Sequence, residues 1–267
     1  MQAIFFDIDG TLVAFESHLI PDSTKEALHL LRTKGIKVFI ATGRPRVLIN
    51  NLGDLEFDGY ITLNGSHCMT TEGEDILKRP IPADDIERLI RFQPATGIPF
   101  TFFDDASTSE CDGTFITNVN DSVREMVRMH GLQLPAVRPI EDARGMNILQ
   151  LNGYFSDEQA HQLHIRQEVL PHCDLTRWSP LFADIIAHGN SKENGIDHIC
   201  RHYGIDLAQT MAFGDGGNDI GMLRHCKVGV GVAMGNASAT VKQAADFVTD
   251  SVEEDGVWNA LRHFEVI

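Results

Sequence analysis

The chain of 267 residues is poor in positive charge, with 22 Lys and Arg against 38 Asp and Glu and a formal balance of -16. That deficit excludes a nucleic-acid partner, because phosphate backbones are bound by basic faces. It also means that the average surface repels phosphorylated small molecules. An anion site here must therefore be built locally from a metal ion, a lysine and helix N-termini. No apolar run approaches the roughly 18 residues of a membrane span, and the N-terminus lacks a basic start followed by an apolar core. The nucleotide signatures Gly-x-x-x-x-Gly-Lys-Ser/Thr and Gly-x-Gly-x-x-Gly are absent. Five cysteines, Cys68, Cys111, Cys173, Cys200 and Cys226, are odd in number and include no Cys-x-x-Cys. Reduced structural thiols in a cytoplasmic protein suit that pattern. His198 with His202 and His161 with His164 have helical spacing, but neither pair has the third ligand that zinc requires.

What is present is a soluble globular composition, 43% hydrophobic, and a length that supports two unequal domains at about 100 to 150 residues each. The expected assembly is a monomer or homodimer. The chain is organised around Ile4 to Leu12, where a short apolar strand, Ile4 to Phe6, runs into Asp7 and Asp9 and then Gly10. The strand starts almost at Met1, so no removable leader is expected. In open parallel sheets ligands bind outside the carboxyl ends of strands, and glycine lets the chain turn away sharply there. Two carboxylates so close repel one another unless a cation lies between them, and hard oxygen ligands suit Mg²⁺.

Farther along, Pro21-Asp22-Ser23 opens a capped amphipathic helix that ends at Gly35. Ile36 to Ala41 is a second strand running into Thr42-Gly43-Arg44, with Pro45 placed to begin the next helix. The right-handed βαβ connection brings Thr42 beside Asp7, where its hydroxyl and the Gly43 N–H can hold an anion. Tyr60 to Asn64 is a third strand, with Asn64-Gly65 as a turn and a hairpin through Ile76 to Ile81. From Pro82 helices at 83–93, 120–130 and 156–169 alternate with strands at 99–104, 146–151 and 174–178, which predicts an inserted α+β domain over 82–183. Ser156 to Gln159 has the capping-box pattern. The first domain, 1–81 and 184–267, then resumes with Phe182 to Ala187 as a strand and a helix from Ser191-Lys192 to Tyr203. Thr210 to Phe213 is a buried strand that ends in Gly214-Asp215-Gly216-Gly217-Asn218-Asp219, followed by alternating strands and helices to the end.

Strand ends thus present Asp7 and Asp9, then Thr42, then Lys192 at a helix start, then Asp215, Asn218 and Asp219. Carboxylates from separate strands, a hydroxyl and a lysine are what Mg²⁺-assisted phosphoryl transfer needs. Phe-Asp-Ile-Asp-Gly-Thr-Leu at 6–12, Thr-Gly-Arg at 42–44, Lys192 and Gly-Asp-Gly-Gly-Asn-Asp at 214–219 resemble the haloacid dehalogenase (HAD) superfamily of phosphatases, and within it the Cof-type branch with a type IIB cap. The tail Val232-Ala233-Met234-Gly235-Asn236-Ala237, with Ala245-Asp246 and Glu254-Asp255-Gly256, resembles that branch too. One departure is Glu193, where the branch usually has glycine.

The resemblance implies an α/β fold, a Rossmann-like parallel-sheet core carrying an inserted α+β cap. It implies a Mg²⁺-dependent phosphatase for small phosphate monoesters, with sugar phosphates preferred over the cofactor phosphates pyridoxal phosphate and flavin mononucleotide. Asp7 is then the nucleophile that forms an aspartyl phosphate, and Asp9 the general acid and base. Mg²⁺ is expected on the Asp7 carboxylate, the Asp9 backbone carbonyl and Asp215, with Asp219 orienting that set. Lys192, Thr42, Gly43, Asn218 and the Ile8 N–H are expected to hold the phosphate. A receiver-type signalling domain also gathers a phospho-accepting Asp, a Thr and a Lys, but here the nucleophile lies in the Asp-x-Asp of the first strand and a second domain is present.

Overall fold

A computed structural model describes residues 1–104, 114–130, 133–224 and 228–267, so Cys111 and Cys226 lie outside the described residues. In chain order the elements are β1 (Ala3–Phe6), α1 (Asp22–Thr33), β2 (Lys37–Ala41), β3 (Gly59–Thr62), β4 (His67–Thr70) and β5 (Asp75–Lys78). Then come α2 (Ala83–Thr96), β6 (Phe100–Asp104), β7 (Thr114–Ile116), α3 (Asp121–His130), β8 (Ala136–Val137), β9 (Ile148–Gly153), α4 (Asp157–Gln162), β10 (Cys173–Ser179) and β11 (Phe182–Ala187). The chain closes with α5 (Lys192–Tyr203), β12 (Thr210–Gly214), α6 (Ile220–Leu223), β13 (Val230–Ala233), α7 (Ala239–Ala244), β14 (Phe247–Val248) and α8 (Gly256–His263).

Two compact units result: 1–44, 48–78 and 191–267 form one, and 79–190 with 45–47 the other. The first holds an eight-stranded sheet ordered β14-β13-β12-β1-β2-β3-β4-β5, parallel from β14 to β3 and closed by the antiparallel β4 and β5. Strands buried on both faces are continuous apolar runs instead of alternating ones. In β1, Phe5 stacks on Phe39 at 5.0 Å between ring centroids, and Phe6 stacks on Phe213 at 4.9 Å on the opposite face. Phe6 joins the cluster that takes in Leu28 and Leu31 of α1 and Val257 and Leu261 of α8. Phe5 joins the one that takes in Ile196 and Ile199 of α5. Each such ring contributes about 1.5–3 kcal/mol on burial, so β1 is fixed from both sides before any polar contact is made.

The inserted unit builds a six-stranded sheet, β10-β11-β9-β6-β7-β8. Its α2 side is lined by Ile86, Leu89 and Ile90, which join Phe100, Phe102 and Leu151 of the sheet in one cluster. Asp85, at the start of α2, is buried and bound by Arg88 Nη1 at 2.7 Å, by His172 N–H and Nδ1 at 2.9 Å each, and by the Cys173 thiol at 3.5 Å. The Ser156–Gln159 capping box is formed as expected.

Several expectations are corrected. Phe182–Ala187 pairs with β9 and β10 in the second sheet, so this strand does not rejoin the first, and the chain returns to the first unit at Ser191. The hairpin partner of β3 is His67–Thr70, with Asp75–Lys78 one strand farther out. Pro45 leads only into a single 3₁₀ turn, Arg46–Leu48. Helix α1 starts after Pro21 without a side-chain cap. Cys68, Cys173 and Cys200 are buried free thiols, and burial raises the Cys68 thiol to about 12. No helix among the described residues is long and apolar enough to cross a membrane.

Candidate active site

Phe6 stands level with Ile40 of β2 and Phe213 of β12, so three parallel strands end together. The chains that leave them carry Asp7 to Asp9, Thr42 to Arg44 and Asp215 to Asp219. After β1 the backbone tightens at once: the Ile8 carbonyl accepts the N–H groups of Thr11, Leu12 and Val13 at 3.3, 3.0 and 2.8 Å. Gly10 turns the loop at φ +81°, and a Cβ on it would collide with the Asp215 carboxylate. Only glycine meets both conditions, which explains the residue that follows the two carboxylates.

Lys192 is the hub. It enters on α5, whose N-cap Ser191 accepts the Asn194 N–H and whose C-cap is Gly204 in the left-handed region. Its Nζ lies 2.6 Å from Asp7 Oδ1 and 2.6 Å from Asp219 Oδ1, with all three side chains buried. Burial disfavours the charged ammonium, but the Asp219 and Asp7 carboxylates outweigh it and raise the lysine above its usual range. Asp219 is further saturated by the Asp215 and Gly216 N–H groups at 3.0 and 2.8 Å. Asp215 takes a hydrogen bond from the Thr11 hydroxyl at 3.2 Å and one from the Asn236 amide at 3.3 Å.

Three carboxylates around one lysine leave negative charge in excess. Burial pushes the Asp7 carboxyl well above its usual range against the pull of Lys192, with Asp219 and Asp215 adding to the rise. Burial and then the charge of Asp219 push Asp215 up to about 7. Among the described residues, ligand oxygens of Asp7, Asp215 and Asp219 fall within 4.8 Å of one another. Hard, anionic oxygens gathered so closely, with too few protein cations, fit a divalent hard cation such as Mg²⁺.

Asp9 meets different company. Its carboxylate is gripped bidentately by Arg44, Nη2 to Oδ1 at 2.6 Å and Nε to Oδ2 at 2.7 Å, and Arg44 Nη1 also donates to the Leu48 carbonyl at 2.9 Å. Thr42, buried, accepts the Arg44 N–H on its hydroxyl at 3.1 Å. Asn218 Nδ2 donates to Asn64 Oδ1 at 2.9 Å, and the Asn64 amide lies against Gly43. The expected residues Asp7, Lys192, Asp215 and Asp219 are thus in one cluster, buried except for the half-buried Asp215, with Ile8 in the loop between Asp7 and Asp9. Sequence reasoning missed Arg44, Thr11, Asn236 and Asn64 as members, although Thr11, Arg44 and Asn236 stood inside quoted motifs. Glu193, the departure, is accommodated because its carboxylate occupies the space that a Cβ on Gly221 would fill.

The family model of haloacid dehalogenase-like hydrolases matches residues 4–261. The solved structure of the HAD subclass IIB sugar phosphatase BT4131 superposes with a TM-score of 0.89 at 41% identity over 100% of both chains. YkrA of Bacillus subtilis, which bears a provisional phosphatase name, is 34% identical over 100% of this chain and 98% of its own. The 5-amino-6-(5-phospho-D-ribitylamino)uracil phosphatase YcsE of the same organism is 30% identical over 99% of this chain and 96% of its own. A match of that extent, on a chain whose motifs converge at one sheet edge, makes this protein a phosphatase of the haloacid dehalogenase superfamily, Cof-type.

Proposed function

We propose that the protein is a Mg²⁺-dependent phosphatase that hydrolyses small phosphate monoesters, sugar phosphates foremost, through an aspartyl phosphate on Asp7. The observation that carries this reading is the shared lysine. Lys192 touches Asp7 and Asp219 together, so the nucleophile, its neutralising cation and the second acidic cluster belong to one site. The Asp7 and Asp215 carboxylates and the Asp9 backbone carbonyl would hold Mg²⁺, with Asp219 fixing the loop that bears Asp215. When bound, the cation offsets the carboxylate charge and draws electron density from the phosphoryl oxygens.

An Asp7 carboxylate oxygen attacks phosphorus, and the bond from phosphorus to the leaving oxygen breaks while Asp9 supplies that oxygen with a proton. Asp9 then takes a proton from water, whose oxygen attacks the phosphorus of the aspartyl phosphate and frees inorganic phosphate and Asp7. Both Asp9 oxygens accept from Arg44, so proton donation requires one of those bonds to open. Lys192, the Thr42 hydroxyl, the Gly43 and Ile8 N–H groups and the Asn218 amide bind the phosphoryl oxygens.

Similarity to BT4131 supports sugar phosphates, and similarity to YcsE supports a second reading, a phosphorylated ribitylaminouracil. The two share a phosphomonoester on a polyhydroxylated carbon chain. We assign the reading of that chain to the inserted segment over 79–190, since none of the residues given a chemical role lies in it. A panel of phosphorylated metabolites assayed with Mg²⁺ tests the proposal. Polyol and sugar phosphates should lead the ranking, and pyridoxal phosphate at the head of it, or full turnover in excess chelator, would overturn it.

A further inference from the structure

Three successive residues in the turn after β3 have positive φ: Leu63 at 50°, Asn64 at 52° and Gly65 at 89°. Backbone in that region is unfavourable for a residue with a Cβ. It persists where the surroundings over-determine it, and such positions gather at functional sites. Here the surroundings are the loops assigned to phosphate. The Leu63 N–H donates to the Arg44 carbonyl and the Asn64 N–H to the Thr42 carbonyl, each at 3.1 Å. The Asn64 amide packs on Gly43, where a Cβ would come within 3.2 Å of both its terminal atoms. Gly65 abuts the Ser191 carbonyl so closely that a Cβ would collide with it, and Ser191 caps the helix that bears Lys192. On the remaining side, Asn64 Oδ1 accepts from Asn218 Nδ2 at 2.9 Å.

We infer that Asn64 is a positioning residue of the phosphate site: its side-chain carbonyl fixes the direction of the Asn218 amide, and its backbone holds the Thr42–Arg44 loop in register with the entry to α5. An amide nitrogen has two N–H donors. With one committed to Asn64, the plane of the Asn218 amide is set and the second N–H has a fixed direction. The inference rests on the reading that Asn218 binds the phosphoryl group. A plainer account is that asparagine is present only because it tolerates left-handed backbone.

Glycine separates the two accounts, because it suits φ near 50° better than asparagine and removes the amide. Asn64→Gly, Asn218→Ala and the double variant of the full chain are compared for inhibition by inorganic phosphate, with Mg²⁺ and an activated aryl phosphate as substrate, and for thermal unfolding. Asn64→Gly should keep its thermal stability yet raise the Ki for phosphate about tenfold, the range for one hydrogen bond to a charged group. The double variant should be no worse than Asn218→Ala alone, since both changes remove one coupled element. Parental phosphate affinity in Asn64→Gly would overturn the inference, as would an unfolded Asn64→Gly, which would make the residue structural. A double variant whose loss is the product of the single losses would also overturn it. Parental affinity in Asn218→Ala strikes the assignment of Asn218 itself, a failure distinct from that of Asn64.

Discussion

Asp85 in the inserted unit and Asp7 in the first are both carboxylates withdrawn from solvent, at 0% and 7% exposure. Asp85 is surrounded by donors: an arginine, a histidine ring, a backbone N–H and a thiol converge on one anion. Asp7 shares its single lysine with Asp219 and stands near Asp215 as well. Both arrangements satisfy hydrogen bonds, yet only the first balances its donors against its charge. A saturated buried carboxylate holds a structure together. A buried cluster with surplus negative charge destabilises its fold and persists where a ligand supplies the missing cation.

The contrast is broken most directly at Asp7. Asp7→Asn should lower kcat on the order of 10⁴-fold or more, since no other group can accept the phosphoryl group. It should not lower the melting temperature of the metal-free protein, because it removes one of the repelling charges and leaves Lys192 paired with Asp219. A large fall in melting temperature would equate Asp7 with Asp85. Asp9→Asn should cost about 10²–10⁴-fold in turnover. With an activated aryl phosphate it should still load, so mass spectrometry of the quenched protein should find phosphate on the peptide that holds Asp7. Label on a serine or histidine would overturn the mechanism.

Metal removal sharpens the comparison from the other side. Chelation should abolish turnover, and Mg²⁺ at about 100 times its Kd should stabilise the fold by about 2.7 kcal/mol. The pH dependence follows from Asp215, whose carboxyl is raised from 3.8 to about 7, chiefly by burial. Between those values the folded chain keeps a proton that the unfolded chain releases, so metal-free stability should fall as pH rises through that window. Cations compete with that proton, so the rise in melting temperature caused by Mg²⁺ should be greatest above pH 7 and fade below it; calorimetry with and without Mg²⁺ checks both. The smallest effect is expected at Asp85. Asp85→Asn should cost about 1–3 kcal/mol by leaving Arg88 and the His172 ring poorly matched. Turnover of an activated aryl phosphate per folded molecule should be unchanged, and the response to Mg²⁺ as well.

The acidic cluster of the first unit was legible because its residues sit where elements begin or end. Ile4–Phe6 before Asp7, Met211–Phe213 before Asp215 and Ser191 before Lys192 mark strand and helix ends by composition alone. Sheet membership was not legible. Phe182–Ala187 is buried at every position, Asp184 included, and a largely apolar stretch of that length is equally fit for either sheet. His67–Thr70 has a single β-branched residue, Thr70, among its four and carries little composition signal, so the Ile76–Ile81 stretch stood in for it. Arg44 and Asn64 escaped for another reason. Their partners Asp9 and Asn218 are 35 and 154 positions away, and nothing local in an arginine or an Asn-Gly turn specifies a contact at such a distance.

The central place of β1 has a consequence during synthesis. Its parallel neighbours are β2, made soon afterwards, and β12, made only after the inserted unit is complete. Thr11 and its partner Asp215 are 204 residues apart, about 10–40 s of elongation at the usual 5–20 residues per second. For most of that interval a nascent chain has Asp7, the proposed nucleophile, and one flank of its strand, but not Lys192, and throughout it lacks the second acidic loop. Folding of the proposed catalytic centre is therefore deferred until β12 and its loop have been made, and the inserted unit, nearly contiguous in sequence, can form first. A ribosome-stalled chain ending before Thr210 should show a protease-resistant inserted unit and no capacity to bind phosphate.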